Sequence, residues 1–251
     1  MKSLKFALAL IPFALVGGYF TGSYAYASYT PEVQQQLMEQ LGSSQLLMLT
    51  AAVQSAVLAF ICGLLGCMLA NRVGLMKPVR FERAPLKTSL LVTVICGLLF
   101  SMDYWVFGAL LPEVAAQYDG SLLIGRFDNW MASIFYGGIV EEVLMRLFVM
   151  SLFSFVIWKL FFRKTEKENI PAAVFVSANL LSALLFAAGH LPATVGIFGT
   201  LSPLILLRCF LLNGGLGLVF GRLYRAYGIQ YAMLSHMGCH ILSKLIWTVC
   251  L

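Results

Sequence analysis

The sequence predicts an all-α fold, a polytopic membrane helix bundle of about seven to eight transmembrane helices. Three observations predict it. Of 251 residues, 60% are apolar or aromatic and 11% are charged, which leaves too few polar side chains to cover a water-soluble globule. Apolar runs long enough to cross a bilayer recur along the whole chain, and the connections between them alternate in charge. The same composition excludes intrinsic disorder, collagen-like repetition and a small disulfide-stapled module. A net charge of +6 would suit nucleic acid, but the basic residues cluster in alternate connections. That is the positive-inside bias of a membrane protein, so the expected partner is the lipid bilayer, with no nucleic acid.

Apolar runs fall at 4–27, 46–70, 88–111, 130–158, 171–190, 201–221 and 229–250. In the first, Lys2 and Lys5 precede Phe6–Phe20, and Ala25-Tyr26-Ala27 resembles a signal-peptidase site. An uncleaved first span is expected, because multispanning proteins rarely need a cleaved signal. Arg72, Lys77, Arg80, Arg83 and Lys87 face one acid, Glu82, between the second and third runs. Arg163, Lys164 and Lys167 stand with Glu166 and Glu168 between the fourth and fifth, and Arg222 and Arg225 between the sixth and seventh. The other connections carry Glu32, Glu39, Glu113, Asp119 and Asp128 with a single Arg126. This alternation predicts seven spans with a cytoplasmic N-terminus, in a chain whose economy suggests a bacterial cytoplasmic membrane. Around 191–200 an eighth segment is expected to be short or re-entrant, since Pro192, Gly196 and Gly199 argue against a regular helix. The six cysteines lie in or beside apolar runs without a C-x-x-C pair and read as small hydrophobes. Gly217 with Gly221, Ala183 with Ala187, and Gly137 with Gly138 read as close helix packing.

Ionisable side chains inside apolar runs cost about 2.5–3.5 kcal/mol each at mid-span, so those present need a reason. They are Asp103, Glu141, Glu142, Arg146, His190, Arg208, His236 and His240, and they include all three histidines of the chain. Glu142 and Arg146 are four apart and can pair on one helix face. Glu141 is rotated by about 100° from Glu142, so it is left to face something else, as a general base would be. Phe186 and His190 lie one turn apart with Gly189 keeping the backbone open, and His236 and His240 share a face of the last run. With inner boundaries set near residues 155, 176 and 225, Glu141, His190 and His240 reach a common depth of roughly 21–22 Å, and His236 about 16 Å. Asp103 and Arg208 reach a similar depth and are expected to pair structurally.

Glu-Glu-x-x-x-Arg, then Phe-x-x-x-His, then a Gly-rich span, then His-x-x-x-polar resembles the CPBP family of intramembrane proteases. That family includes the type II CAAX prenyl endopeptidases and the bacterial Abi, or bacteriocin-immunity, proteins. The resemblance covers about residues 130–250 and divides the chain into N-terminal transmembrane helices, 1–129, and a CPBP-like core, 130–251. It implies that Glu141 and His190 activate a water, and that His236 and His240 polarise the scissile carbonyl and stabilise its oxyanion. Glu142 with Arg146 would be the supporting ion pair and Phe186 would pack beside the site. The family usually has Asn where His240 stands. The change leaves one donor for the oxyanion but also creates a three-His-plus-Glu set, Glu141, His190, His236 and His240, of a type that binds zinc. The expectation is an intramembrane endopeptidase acting on a peptide or membrane-protein tail without a cofactor, with the zinc-dependent version open. A proton- or metal-coupled transporter and a non-catalytic immunity or scaffold protein are the rivals from other classes. No partner protein is identified.

Overall fold

The computed structural model describes residues 2–118 and 125–251; Asp119 lies outside them. Helix α1, Lys2–Ser28, is followed by a short α2, Pro31–Leu41, and by α3, Ser44–Val73. Then come α4, Arg83–Gly108, with a π-type turn at Tyr104–Gly108, and α5, Pro112–Tyr118. The C-terminal part holds α6, Phe127–Phe161; α7, Ala172–Gly189; α8, Leu191–Phe198; α9, Pro203–Tyr227; and α10, Ile229–Cys250. No strand occurs among the described residues.

Local chemistry sets the ends. The Ser43 hydroxyl accepts from the Leu46 N–H at 3.1 Å to open α3. Gly74 closes α3 at φ +80° with its N–H on the Ala70 carbonyl. Ser202 followed by Pro203 opens α9 in the same way. Residues 31–41, a connection in the sequence reading, form a helix with no buried residue, because Pro31 starts it and Gly42 stops it. The segment 191–198 is likewise a helix, contrary to expectation. Pro192 falls in its first turn, where a missing N–H costs nothing, and Gly199 at φ +73° is its C-cap and not a break.

Helix α3 shows how the bundle is sorted. Leu49, Val53, Val57, Ile61, Leu65 and Met68 are exposed, whereas Ala52, Ala56, Ala59, Cys62, Cys67 and Ala70 are buried. Large residues face outward and small ones inward, as expected where lipid is the solvent and close backbone approach holds helices together. Helix α1 runs antiparallel to α3, with Gly18 against Ser55 and Gly63 against Leu10. Both pack on α6, whose other sides meet α7, α9 and α10, while α4 lies along α10. Small residues join α7 to α9, as Gly214 meets Ala187 and Gly217 meets Ala183.

Six helices among the described residues are long and apolar enough to cross a membrane: α1, α3, α4, α6, α7 continued into α8, and α9. The protein is an integral membrane protein. Helix α10 has the length of a span but falls short in apolarity. It carries Gln230, Ser235, His236, His240, Ser243 and Lys244, and these are answered inside the bundle. Ser235 and Ser89 share a hydrogen bond at 2.8 Å, and the Trp247 indole N–H donates to the Ser101 carbonyl at 2.8 Å. The three basic connections meet at one end of the bundle. There Lys77 donates to the Ala226 carbonyl, the Gln230 amide donates to the Arg80 carbonyl at 3.0 Å, and Gly74 lies beside Lys167. All six cysteines are free, and five of them are buried.

Candidate functional site

Around Glu141, α6 departs from α-geometry. Hydrogen bonding of the π type runs through Ala132–Glu141 and Val143–Met150. Such widened turns concentrate at functional sites, because they cost stability without tertiary compensation. Here they carry Gly137, Gly138, Glu141 and Arg146, with Glu142 at the junction between them.

The neighbouring glutamates point to different surroundings. Glu142 is fully buried. One of its oxygens accepts from His236 Nδ1 at 2.9 Å, and the other lies 3.4 Å from Arg146 Nε. Arg146, also fully buried, stands over the Phe186 ring with its Cζ 5.0 Å from the centroid, and Gly217 leaves the room it occupies. Glu141 lines a cavity and faces His190, with 3.8 Å between Oε1 and Nε2.

A carbonyl or carboxylate oxygen only accepts hydrogen bonds, and this fixes the tautomers of the neutral rings. His190 Nδ1 meets the Phe186 carbonyl at 2.9 Å, so Nδ1 carries the proton and the Nε2 lone pair faces Glu141. His236 Nδ1–H donates to Glu142, so its Nε2 accepts. The donor is His240 Nε2–H, 3.1 Å away. The result is a chain from His240 through His236 to Glu142, with Arg146 behind it.

Aromatic rings hold the imidazoles. Phe186 meets His190 edge-on at 4.6 Å, Phe220 stacks on His236 at 4.7 Å, and Phe100 meets His240 edge-on at 5.3 Å. A methyl group at Gly137 would lie 3.3 Å from His240 Nε2 and 3.8 Å from His236 Nε2. At Gly138 it would lie 1.9 Å from Met237 Cγ. Read from the sequence as plain helix packing, Gly137 also admits the two imidazoles against the α6 backbone, and Gly138 admits Met237.

Glu141, His190, His236 and His240 therefore come together on one cavity of about 520 Å³, as four candidates from three distant stretches. Phe186 lines it too, while Glu142 and Arg146 stand behind it. The rest of the lining is mainly apolar, with Leu144, Met145, Leu185, Leu212 and Leu216 on one side. Helix α1 supplies Thr21, Tyr24 and Ala25, so the N-terminal half builds part of the wall. No three His, Cys, Asp or Glu side chains among the described residues are grouped to hold a metal ion. In the set left open for zinc, one nitrogen of His236 is committed to Glu142 and the other to His240, and one nitrogen of His190 to a backbone carbonyl.

Asp103 and Arg208 meet in a bidentate pair, with Arg208 Nε 2.7 Å from Asp103 Oδ1, and the Tyr118 hydroxyl donates to the same carboxylate at 2.6 Å. Three contributors escaped the sequence reading. Phe220 and Phe100 carry no local signal that separates them from the other aromatics of apolar helices. Lys244 did carry one, as a charge four residues beyond His240 on the same face of an apolar run.

Residues 126–242 match the family model described as type II CAAX prenyl endopeptidase Rce1-like. Neither the curated proteins nor the solved structures provide a match.

Proposed function

We propose that the protein is an intramembrane endopeptidase in which Glu141 and His190 activate water and the His236–His240 pair stabilises the oxyanion, since residues 126–242 match the Rce1-like, type II CAAX prenyl endopeptidase family model. The observation that carries the reading is the meeting of two acceptors. Glu141 Oε1 and the His190 Nε2 lone pair face one another across 3.8 Å on the cavity wall. Two acceptors so placed are satisfied by a species with protons to give, and a water molecule is one.

Glu141, oriented with His190, takes a proton from that water, and the hydroxide adds to the scissile carbonyl. Negative charge then develops on the carbonyl oxygen. His240 Nε2–H turns from His236 to that oxygen, while the hydrogen bond from His236 Nδ1 to Glu142 holds the neighbouring ring in place. The tetrahedral intermediate collapses as the C–N bond breaks, and the proton held by Glu141 passes to the departing amine. Preorganised donors of this kind are worth about 10²–10³ in rate each. No step passes through a metal.

An apolar wall beside a polar reaction centre favours a substrate with an apolar or membrane-embedded stretch, such as a peptide, leader or membrane-protein tail. The basic end of the bundle, with the N-terminus of α1, then lies in the cytoplasm by the positive-inside rule.

Detergent-purified protein incubated with a peptide library tests the reading. Wild type should cleave, Glu141→Ala should not, and a chelator should leave the rate unchanged. Equal cleavage by both proteins removes Glu141 from the mechanism. Loss of cleavage on chelation favours the zinc-dependent version. Absence of cleavage by wild type favours the scaffold or transporter.

A further inference from the structure

One buried cation has no part in the reaction above. Lys244 is 3% exposed, one turn beyond His240 on α10. Among the described residues no carboxylate lies within 4.0 Å of it. Its Nζ instead donates to the Ser133 hydroxyl at 2.7 Å, and that hydroxyl donates onward to the Asn129 carbonyl at 2.8 Å. Ser133 lines the same cavity as the imidazoles.

The geometry forms two rungs. Gly137 on α6 meets His240 on α10, and one turn away along both helices Ser133 meets Lys244. A side chain that is expensive to place in lipid thus spans the two helices whose packing brings His236 Nδ1 to Glu142 and His240 to Gly137. None of the ion pairs among the described residues includes it, and the acceptor it meets is the Ser133 hydroxyl, one turn from Gly137.

Resting on the protease reading, we propose that Lys244 is a positioning residue for the oxyanion-stabilising imidazoles. Through Ser133 it fixes the register of α10 on α6 at His240, and so the place of a donor that is used only once the oxyanion forms. Its effect therefore falls on kcat and not on KM. Ser133 acts through the same link.

Steady-state kinetics on a cleaved library peptide test this, using Lys244→Met, Lys244→Arg, Ser133→Ala and the Ser133→Ala/Lys244→Met double variant. Lys244→Met should lower kcat by roughly 10–100-fold with KM within about twofold, below the loss of a direct oxyanion donor. Lys244→Arg should recover most of that loss. The double variant should be no slower than Lys244→Met alone, since partners in one link are non-additive. An undiminished kcat in Lys244→Met, an arginine variant as slow as the methionine one, or losses that multiply in the double variant would each overturn the proposal. If Lys244→Met does not fold, Ser133→Ala decides, and a kcat equal to wild type overturns it. Failure of the protease reading looks different, because there wild type cleaves nothing or Glu141→Ala cleaves as well as wild type.

Discussion

Two acid–imidazole pairs sit side by side in this protein and are built in opposite ways. Glu142 and His236 are sealed, with side chains 0% and 7% exposed, a 2.9 Å hydrogen bond between them and Arg146 behind. Glu141 and His190 are open, with side chains 17% and 31% exposed and 3.8 Å between the nearest atoms. Both acids come from adjacent positions of one helix, so the difference arises from what each meets. The sealed pair is joined by its hydrogen bond and holds a shape. The open pair has hydrogen-bonding capacity left over on a cavity wall, and it can take up and release a proton. In the proposed mechanism the rigid half positions the substrate carbonyl and the loose half performs the proton transfer.

Substitutions can separate the two halves. The largest effect on catalysis is expected from Glu141→Gln, which should lower kcat about 10²–10⁴-fold, the usual contribution of a general base. Its thermal unfolding in detergent should match wild type, since Glu141 has no buried counter-charge to abandon. Glu142→Ala reverses the pattern, leaving Arg146 buried without its carboxylate. That should cost about 3–5 kcal/mol of stability, read as a fall in unfolding temperature before any assay of activity. A Glu141→Gln variant that melts early, or a Glu142→Ala variant that does not, would erase the contrast.

His240→Ala should lower kcat about 10²–10³-fold as an oxyanion donor is lost. His240→Asn keeps one N–H able to donate to His236 Nε2 and should retain most of the rate. Equal losses in the two would show that the ring, and not its donor, matters. The smallest effect is expected from Phe220→Leu, which removes the ring stacked on His236. It should cost about 0.5–1.5 kcal/mol beyond the area lost, measured in stability with KM unchanged.

Much of this arrangement is legible along the chain because lipid makes polar groups expensive. Eight of the ionisable residues in apolar runs, with every histidine among them, mark the candidate site and its support before any coordinate is known. The separate fates of Glu141 and Glu142 follow from helical rotation alone, and so does the Glu142–Arg146 pair. The bond from Glu142 to His236 does not, because it joins residues 94 apart in sequence. The part of α1 in the cavity wall was equally hidden. Its Thr21 and Tyr24 belong to a run that reads as an ordinary span. Lys244 is a different case, visible as a charge in an apolar run at the spacing of four from His240, whereas its partner Ser133 on a distant helix is not.

By itself the sequence determined the helical membrane class and which candidate side chains lie in apolar runs, since each depends on local composition and on the 3.6-residue period. Tertiary structure alone decided which acid is sealed and which is open. It also decided which ring nitrogen carries a proton, because those outcomes depend on the groups that distant helices bring within about 3 Å, the range of a hydrogen bond.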